Sequence, residues 1–142
     1  MIEVARATSA EDLQTCLDIR RVVFIDGQSV PEEEEVDGKD PDCLHYILRQ
    51  DGMAVATARI LPLGTTAKVQ RVAVLGSARS AGLGAALMRH LLTDIAEHHG
   101  FTEAVLGSQT HAIGFYERLG FETFGPEYLD AGITHRDMRK SL

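Results

Sequence analysis

The segment that most constrains this chain is residues 67–95, where an apolar run, a glycine-bearing loop and a helical pattern follow one another without a gap. Residues 67–75 (AKVQRVAVL) read as a strand, apolar enough to be central in a sheet. Leu83, Leu87, Leu91 and Ile95 step by four, with Met88 and Leu92 beside them, which is one apolar face of a helix stopped by Gly100. Between them lies Arg79-Ser80-Ala81-Gly82-Leu83-Gly84. Glycines at a helix start let a ligand come close to backbone. The first helical turn also offers unpaired N–H groups and the positive end of the dipole. Together these make an anion cradle of the kind that takes phosphate, with Arg79 adding a charge at its rim. A nucleotide P-loop is excluded, because no Lys follows the glycines. The dinucleotide fingerprint GxGxxG also fails, because Gly82 and Gly84 lead into Ala85, Ala86 and Leu87. A strand-to-helix turn that needs glycine only for its own conformation uses the same residues, so this segment alone leaves both readings open.

The rest of the chain supplies strands and helices around that unit. Residues 2–8 are β-capable, and Thr8 with Glu11 has capping-box spacing for a helix running to Phe24 on Leu13, Cys16, Leu17 and Val23. Residues 26–43 hold two Gly, two Pro and a run of acids, a long irregular segment of the kind that is functional or disordered. Residues 44–49 and 53–61 read as strands joined by the turn Gln50-Asp51-Gly52. Residues 102–108 read as a strand and 111–119 as a short helix ended by Gly120. Residues 121–124 and 133–139 close the chain as strands. Hairpins require antiparallel pairs and a helical crossover requires a parallel one. An α/β (α+β) domain over residues 1–142, one mixed sheet flanked by helices, satisfies both.

Composition narrows the function. Lys plus Arg is 14 against 21 for Asp plus Glu, a net charge of −7. Such a chain repels nucleic acid and anionic membrane and attracts a small cation. No run of about 18 apolar residues exists to span a membrane. Cys16 and Cys43 form no CxxC pair, and the N-terminus shows no basic region followed by an apolar run. Reduced thiols in a cytoplasmic protein are therefore expected. The histidines and cysteines lack metal-site spacing, so no metal is expected, and Ser108 lacks the GxSxG elbow of a serine hydrolase.

A second segment, Gly114-Phe115-Tyr116-Glu117-Arg118-Leu119-Gly120-Phe121, presents Tyr116 on a short helix. Alone, that tyrosine reads as one more ring of a core cluster. Paired with the R-x-x-G-x-G loop about thirty residues earlier, it resembles the GNAT superfamily of acyl-CoA-dependent N-acetyltransferases, over nearly the whole chain. Arg20 to Phe24, Gln28, Val30, Pro31, Glu35, Asp37, Gly38, Asp40 and His45 are similar to the YjcF/ElaA-like branch. So are the closing Ala131-Gly132-Ile133-Thr134-His135 and Met138.

The resemblance implies a seven-stranded mixed sheet splayed between its fourth and fifth strands, with acetyl-CoA as co-substrate and an amine as acceptor. It implies that the pyrophosphate sits on the backbone of Arg79, Ser80, Ala81, Gly82, Leu83 and Gly84. The pantetheine arm would run beside Val72, Ala73 and Val74 and pair with backbone like an added strand. The N–H of Val74 would polarise the thioester carbonyl as an oxyanion hole does. Tyr116 matches the position that protonates the leaving thiolate, with Phe115 beside it. His111 stands where several relatives carry an asparagine near the pantetheine. The central strand has no carboxylate to serve as base, so the base lies elsewhere or is water, and Glu35, Asp37 and His45 are the candidate residues. An acyl-CoA sensor or interaction domain without catalysis is the alternative, and the exposed terminal strands leave room for a homodimer.

Overall fold

A computed structural model describes the backbone of residues 1–142 and every side chain except those of Ser77, Ser80 and Ala81. Its strands are β1 (Ile2–Arg6), β2 (Leu44–Gln50), β3 (Met53–Leu63), β4 (Thr66–Val74), β5 (Glu103–Gln109), β6 (Glu122–Asp130) and β7 (Ile133–Ser141). They form one sheet in the order β1-β2-β3-β4-β5-β7-β6. The helices are α1 (Ala10–Arg20), α2 (Glu32–Glu35), α3 (Leu83–His98) and α4 (Ile113–Glu117). Only β4 and β5 run parallel, joined by the α3 crossover; every other neighbouring pair is antiparallel.

The core is layered by side-chain alternation. On β2, Tyr46 and Leu48 join the cluster around Leu83, Leu87, Met88, Leu91 and Ile95 of α3, while Ile47 turns to Cys16 of α1. Both faces of β2 are covered, which is why LHYILR carries so little polar alternation.

The expected cap on α1 moves by one residue. Ser9 accepts from the backbone N–H of Asp12 at 3.0 Å, and the Asp12 carboxylate takes a guanidinium N–H of Arg49 at 2.7 Å. Ser9-x-x-Asp12 has the same spacing as Thr8-x-x-Glu11, so pattern alone could not separate them. Beyond Arg20 the helix continues as a π-helical turn, Arg21–Asp26. The Asp51-Gly52 turn is as read: Gln50 pairs with Met53, and both loop residues have positive φ (51° and 83°), the primed turn that suits a hairpin.

β6 differs most from the sequence expectation. It continues past Phe124 to Asp130, through Gly125 and Pro126. A Gly-Pro pair reads as a breaker, but β6 is an edge strand and tolerates proline, with the register shift between Phe124 and Tyr128 absorbing the irregularity.

Candidate active site

The site is a gap in the sheet. β4 and β5 pair only from Thr66–Lys68 to Glu103–Val105 and then diverge. The cause lies in β4. Between the pairs Arg59–Gln70 and Thr57–Ala73, two residues of β4 oppose one of β3, and Arg71 there has φ of 55°. This is a β-bulge with a non-glycine residue in the left-handed region, a local strain that bends the strand away from its neighbour.

Three closed links hold that strained residue. Arg20 hydrogen-bonds Glu35 (2.9 and 3.1 Å) and Asp40 (2.6 Å). Arg59 bonds Asp40 (2.9 Å) and Asp37 (2.6 and 3.0 Å). Arg71 bonds Glu35 (2.6 Å) and Asp37 (3.4 Å). The result is a ring of three guanidiniums alternating with three carboxylates. Arg20, Arg59 and Glu35 are 1%, 0% and 3% exposed, so these are desolvated charges that need every partner. Arg59 holds the Asp37 carboxyl well below the usual carboxylate range, against the opposing effect of burial. At Asp40 burial also opposes ionisation, yet Arg20 and Arg59 outweigh it and hold the carboxyl down.

The ring corrects the expectation of a base among Glu35, Asp37 and His45. Both Glu35 oxygens face guanidinium groups, so its basic lone pairs are taken. Asp37 is tied to Arg59 in the same way. His45 is buried on β2 with Nε2 2.9 Å from the Asp40 carbonyl, and it is not among the residues that line the cleft. Sequence reading singled out Arg20 but missed Arg59 and Arg71, because ring partners lie up to 36 residues apart and no local pattern joins them.

The cleft itself measures about 490 Å³ and is lined from both sides of the gap. Val72, Val74, Arg79, Phe115, Tyr116 and His111 are on its wall. Leu75 donates to the Val55 carbonyl at 2.9 Å, so by antiparallel alternation the N–H and C=O of Val74 turn away from β3 and into the gap. The Val74 carbonyl accepts from Arg79 Nε at 3.0 Å, which fits that direction. Ala73 is corrected by the same alternation. Its backbone is turned to β3 and its side chain packs with Ile19 and Val23 on the opposite face, so it offers the cleft nothing.

Helix α3 begins at Gly82, whose φ is 72°, with no side-chain cap on its first turn. A Cβ at Gly82 would meet nothing within 4 Å, so its open face is free for a ligand. Leu83 is in the core, but as the first residue of α3 its N–H lacks a helical partner. Gly84 differs from Gly82: its Cβ would rest 3.5 Å from Phe115 and Val74, so this glycine serves helix-to-strand packing. Ser80 and Ala81 are expected to offer backbone to the pyrophosphate; their backbone closes the 3-10 turn Gly76–Ala81 before Gly82, and their side chains lie outside the described residues.

Tyr116 packs edge-on to Phe115 (5.0 Å) and Phe121 (5.9 Å), and burial pushes its phenol up to about 12. Its hydroxyl has no hydrogen bond among the described residues. His111 Nε2 lies 2.7 Å from Gln109 Oε1, and Gln109 in turn donates to Gln28 at 2.9 Å. The far wall holds residues that sequence reading did not place: Ser108, Gln109, Tyr128 and Asp130, with His135, which was noted only for family likeness. Tyr128 donates to Asp137 at 2.7 Å and passes over Gly107, where any Cβ would overlap its hydroxyl. The signal for this wall was the continuation of β6, hidden by Gly125-Pro126.

A single mixed sheet splayed beside an uncapped, glycine-led helix defines the class of acyl-CoA-dependent acyltransferases. A family model described as the acetyltransferase (GNAT) domain matches residues 9–142. The N-acetyltransferase YjcF of Bacillus subtilis (strain 168) is 34% identical over 135 residues, covering 94% of this chain and 96% of that protein. The crystal structure of Escherichia coli ElaA superposes with a TM-score of 0.87 at 29% identity, covering 99% of each chain. An Elizabethkingia anophelis GNAT acetyltransferase with acetyl-CoA bound shares the fold, with a TM-score of 0.77 at 16% identity over 99% of this chain and 98% of that one. The chain belongs to the GNAT acetyltransferase family and is an N-acetyltransferase of that family, with YjcF and ElaA among its relatives. Among the described residues no helix is long and apolar enough to cross a membrane, and no group of His, Cys, Asp and Glu is placed to hold a metal ion.

Proposed function

We propose that this chain, as one unit over residues 1–142, moves the acetyl group of acetyl-CoA to a primary amine of a small acceptor by direct attack in a ternary complex. The observation that carries this is that Val74, with its inward N–H, and Tyr116 line one cleft together with Arg79, and Arg79 leads into the open first turn of α3 at Gly82. Backbone N–H groups at Gly82, Leu83 and Gly84, with Arg79 beside them, suit the pyrophosphate. The Val74 N–H suits the thioester oxygen as it gains charge. Tyr116 keeps its proton at neutral pH and can donate to the departing thiolate; burial that raises a phenol raises a neighbouring thiolate as well. No covalent enzyme intermediate is needed, because holding both reactants together supplies the main acceleration.

A net charge of −7 supports a cationic acceptor and a cytoplasmic protein that works on neither nucleic acid nor membrane. The exposed edge strand β6 is the surface on which a homodimer would form. The test is a thermal shift with acetyl-CoA followed by thiol release across a panel of primary amines. Stabilisation together with turnover supports the reading. Stabilisation without turnover favours the acyl-CoA sensor, for which the lack of a carboxylate on β4 is the argument. No stabilisation leaves only a domain that keeps the fold.

A further inference from the structure

With Glu35, Asp37 and His45 committed elsewhere, the cleft still holds one group shaped to take a proton. His135 lies on β7, in register with Gln109 on β5 and with Tyr128 on β6, so the three side chains form one row across the far wall. Its Nδ1 is 2.7 Å from the Ile133 carbonyl. A carbonyl only accepts, so Nδ1 carries the hydrogen and Nε2 keeps its lone pair. Nε2 has no hydrogen bond among the described residues, yet it is not a sealed polar atom, although the side chain is only 9% exposed. It therefore opens to the cleft that the ring lines. Tyr128 stacks on the imidazole at 5.9 Å and 22° and fixes its plane.

We infer that His135 Nε2 is the base that accepts the proton of the incoming amine, an assignment that rests on the amine-transfer reading above. The acceptor first gives its ammonium proton to solvent and attacks as the free amine; the nitrogen–carbon bond forms as the carbon–sulfur bond breaks. The proton lost by the nitrogen goes to His135 Nε2, and the thiolate takes a proton from Tyr116. Solvent then returns a proton to the phenolate and removes one from the imidazolium, so the sum is amine plus thioester to amide plus thiol. The other groups of the wall fit this less well. Burial and the bond to Asp137 push the Tyr128 phenol well up, so it holds its proton. His111 donates from Nε2 to Gln109 and keeps a lone pair on Nδ1, but it stands exposed to water outside the row of Gln109, His135 and Tyr128.

The titratable and charged groups that share the cleft with His135 are Tyr128 on β6 with Asp137 behind it, Asp130, Glu34, Glu35, Lys68, Arg71, Arg79, His111 and Tyr116. Any of these could shape a pH profile, so the test compares variants. Turnover of the best amine of the panel is followed from pH 5 to 9 at saturating substrates, with acetyl-CoA affinity measured by calorimetry. Wild type should lose kcat as pH falls, an acid limb, because the base must be unprotonated to act. His135→Asn can keep the bond to the Ile133 carbonyl and loses only the base, while His135→Gln reaches the Nε2 position with an amide. A folded variant of either kind should lose roughly 10²–10⁴-fold in kcat and lose the acid limb, with acetyl-CoA affinity unchanged. A folded variant that keeps both kcat and the limb overturns the assignment and leaves amine transfer standing. Wild type that binds acetyl-CoA and releases no thiol with any amine overturns the amine-transfer reading, and the base with it.

Discussion

The two sides of the cleft are built from different materials. The side toward α3 is made of backbone: an uncapped helical turn, a left-handed glycine and an unpaired strand edge. The side toward α2 and the loop before β2 is held by side chains, through a ring of six charges that includes the strained Arg71. Backbone donors need little support, because their direction follows from the helix and strand that carry them. Desolvated charges are the opposite case. Each depends on two others, and removing one strands the rest. The cofactor side should therefore fail locally, in affinity or rate, while the ring side should fail as stability.

The largest expected effect breaks the cofactor side at its chemistry. Tyr116→Phe keeps the ring that packs between Phe115 and Phe121 and removes one hydroxyl. It should lower kcat roughly 10²–10⁴-fold with acetyl-CoA affinity nearly unchanged, as steady-state kinetics and calorimetry would show. Undiminished kcat would mean that the thiolate leaves by another route.

Next comes the ring. Glu35→Ala leaves Arg20 and Arg71 facing each other across a buried gap, and should cost about 3–5 kcal/mol in urea unfolding. The folded fraction should still bind acetyl-CoA, and a loss confined to acetyl-CoA affinity would erase the distinction between the two sides.

Gly82→Val sharpens the comparison from the other direction. No neighbour crowds the added side chain in the free protein, so the stability cost is the left-handed backbone, about 1–2 kcal/mol. The larger relative loss should be in acetyl-CoA binding. Gly84→Ala is its control, because the added methyl makes ordinary contact with Phe115 and Val74 and should leave affinity in place.

The smallest effect is in pH. The Asp37 and Asp40 carboxyls are depressed in the fold, so their contribution to stability is complete above the unfolded value of about 3.9 and is lost as pH falls toward the lower folded values. Urea midpoints should fall steeply below about pH 4 in wild type and less so in Asp37→Asn, which has already lost part of that contribution.

Much of the backbone-built side could be read in the sequence, since its signals are local. Leu83 to Ile95 step along one helix face, Gly82 and Gly84 precede it, and Tyr116 lies between two aromatic neighbours within six residues. The side-chain-built side could not be read so well. Glu35 and His45 drew attention as residues of the right chemical type near the right loop, but type says nothing about partners. Arg59 sits in the middle of an apolar strand and reads as a misfit until Asp37 and Asp40 are folded over it. Tyr128 and Asp130 stayed hidden because Gly125-Pro126 marks the end of a strand everywhere except at a sheet edge.

The sequence by itself determined the element order, the primed turn at Asp51-Gly52 and the glycine-led start of α3, because each follows from residues within one turn or one strand of each other. Tertiary structure alone decided that β4 bulges at Arg71, that Val74 turns its N–H into the gap while Ala73 turns away, and that Arg20 and Arg71 enclose Glu35. Those outcomes depend on strand register and on charges brought together from distant segments, where the desolvation of each group is offset only by partners that folding delivers.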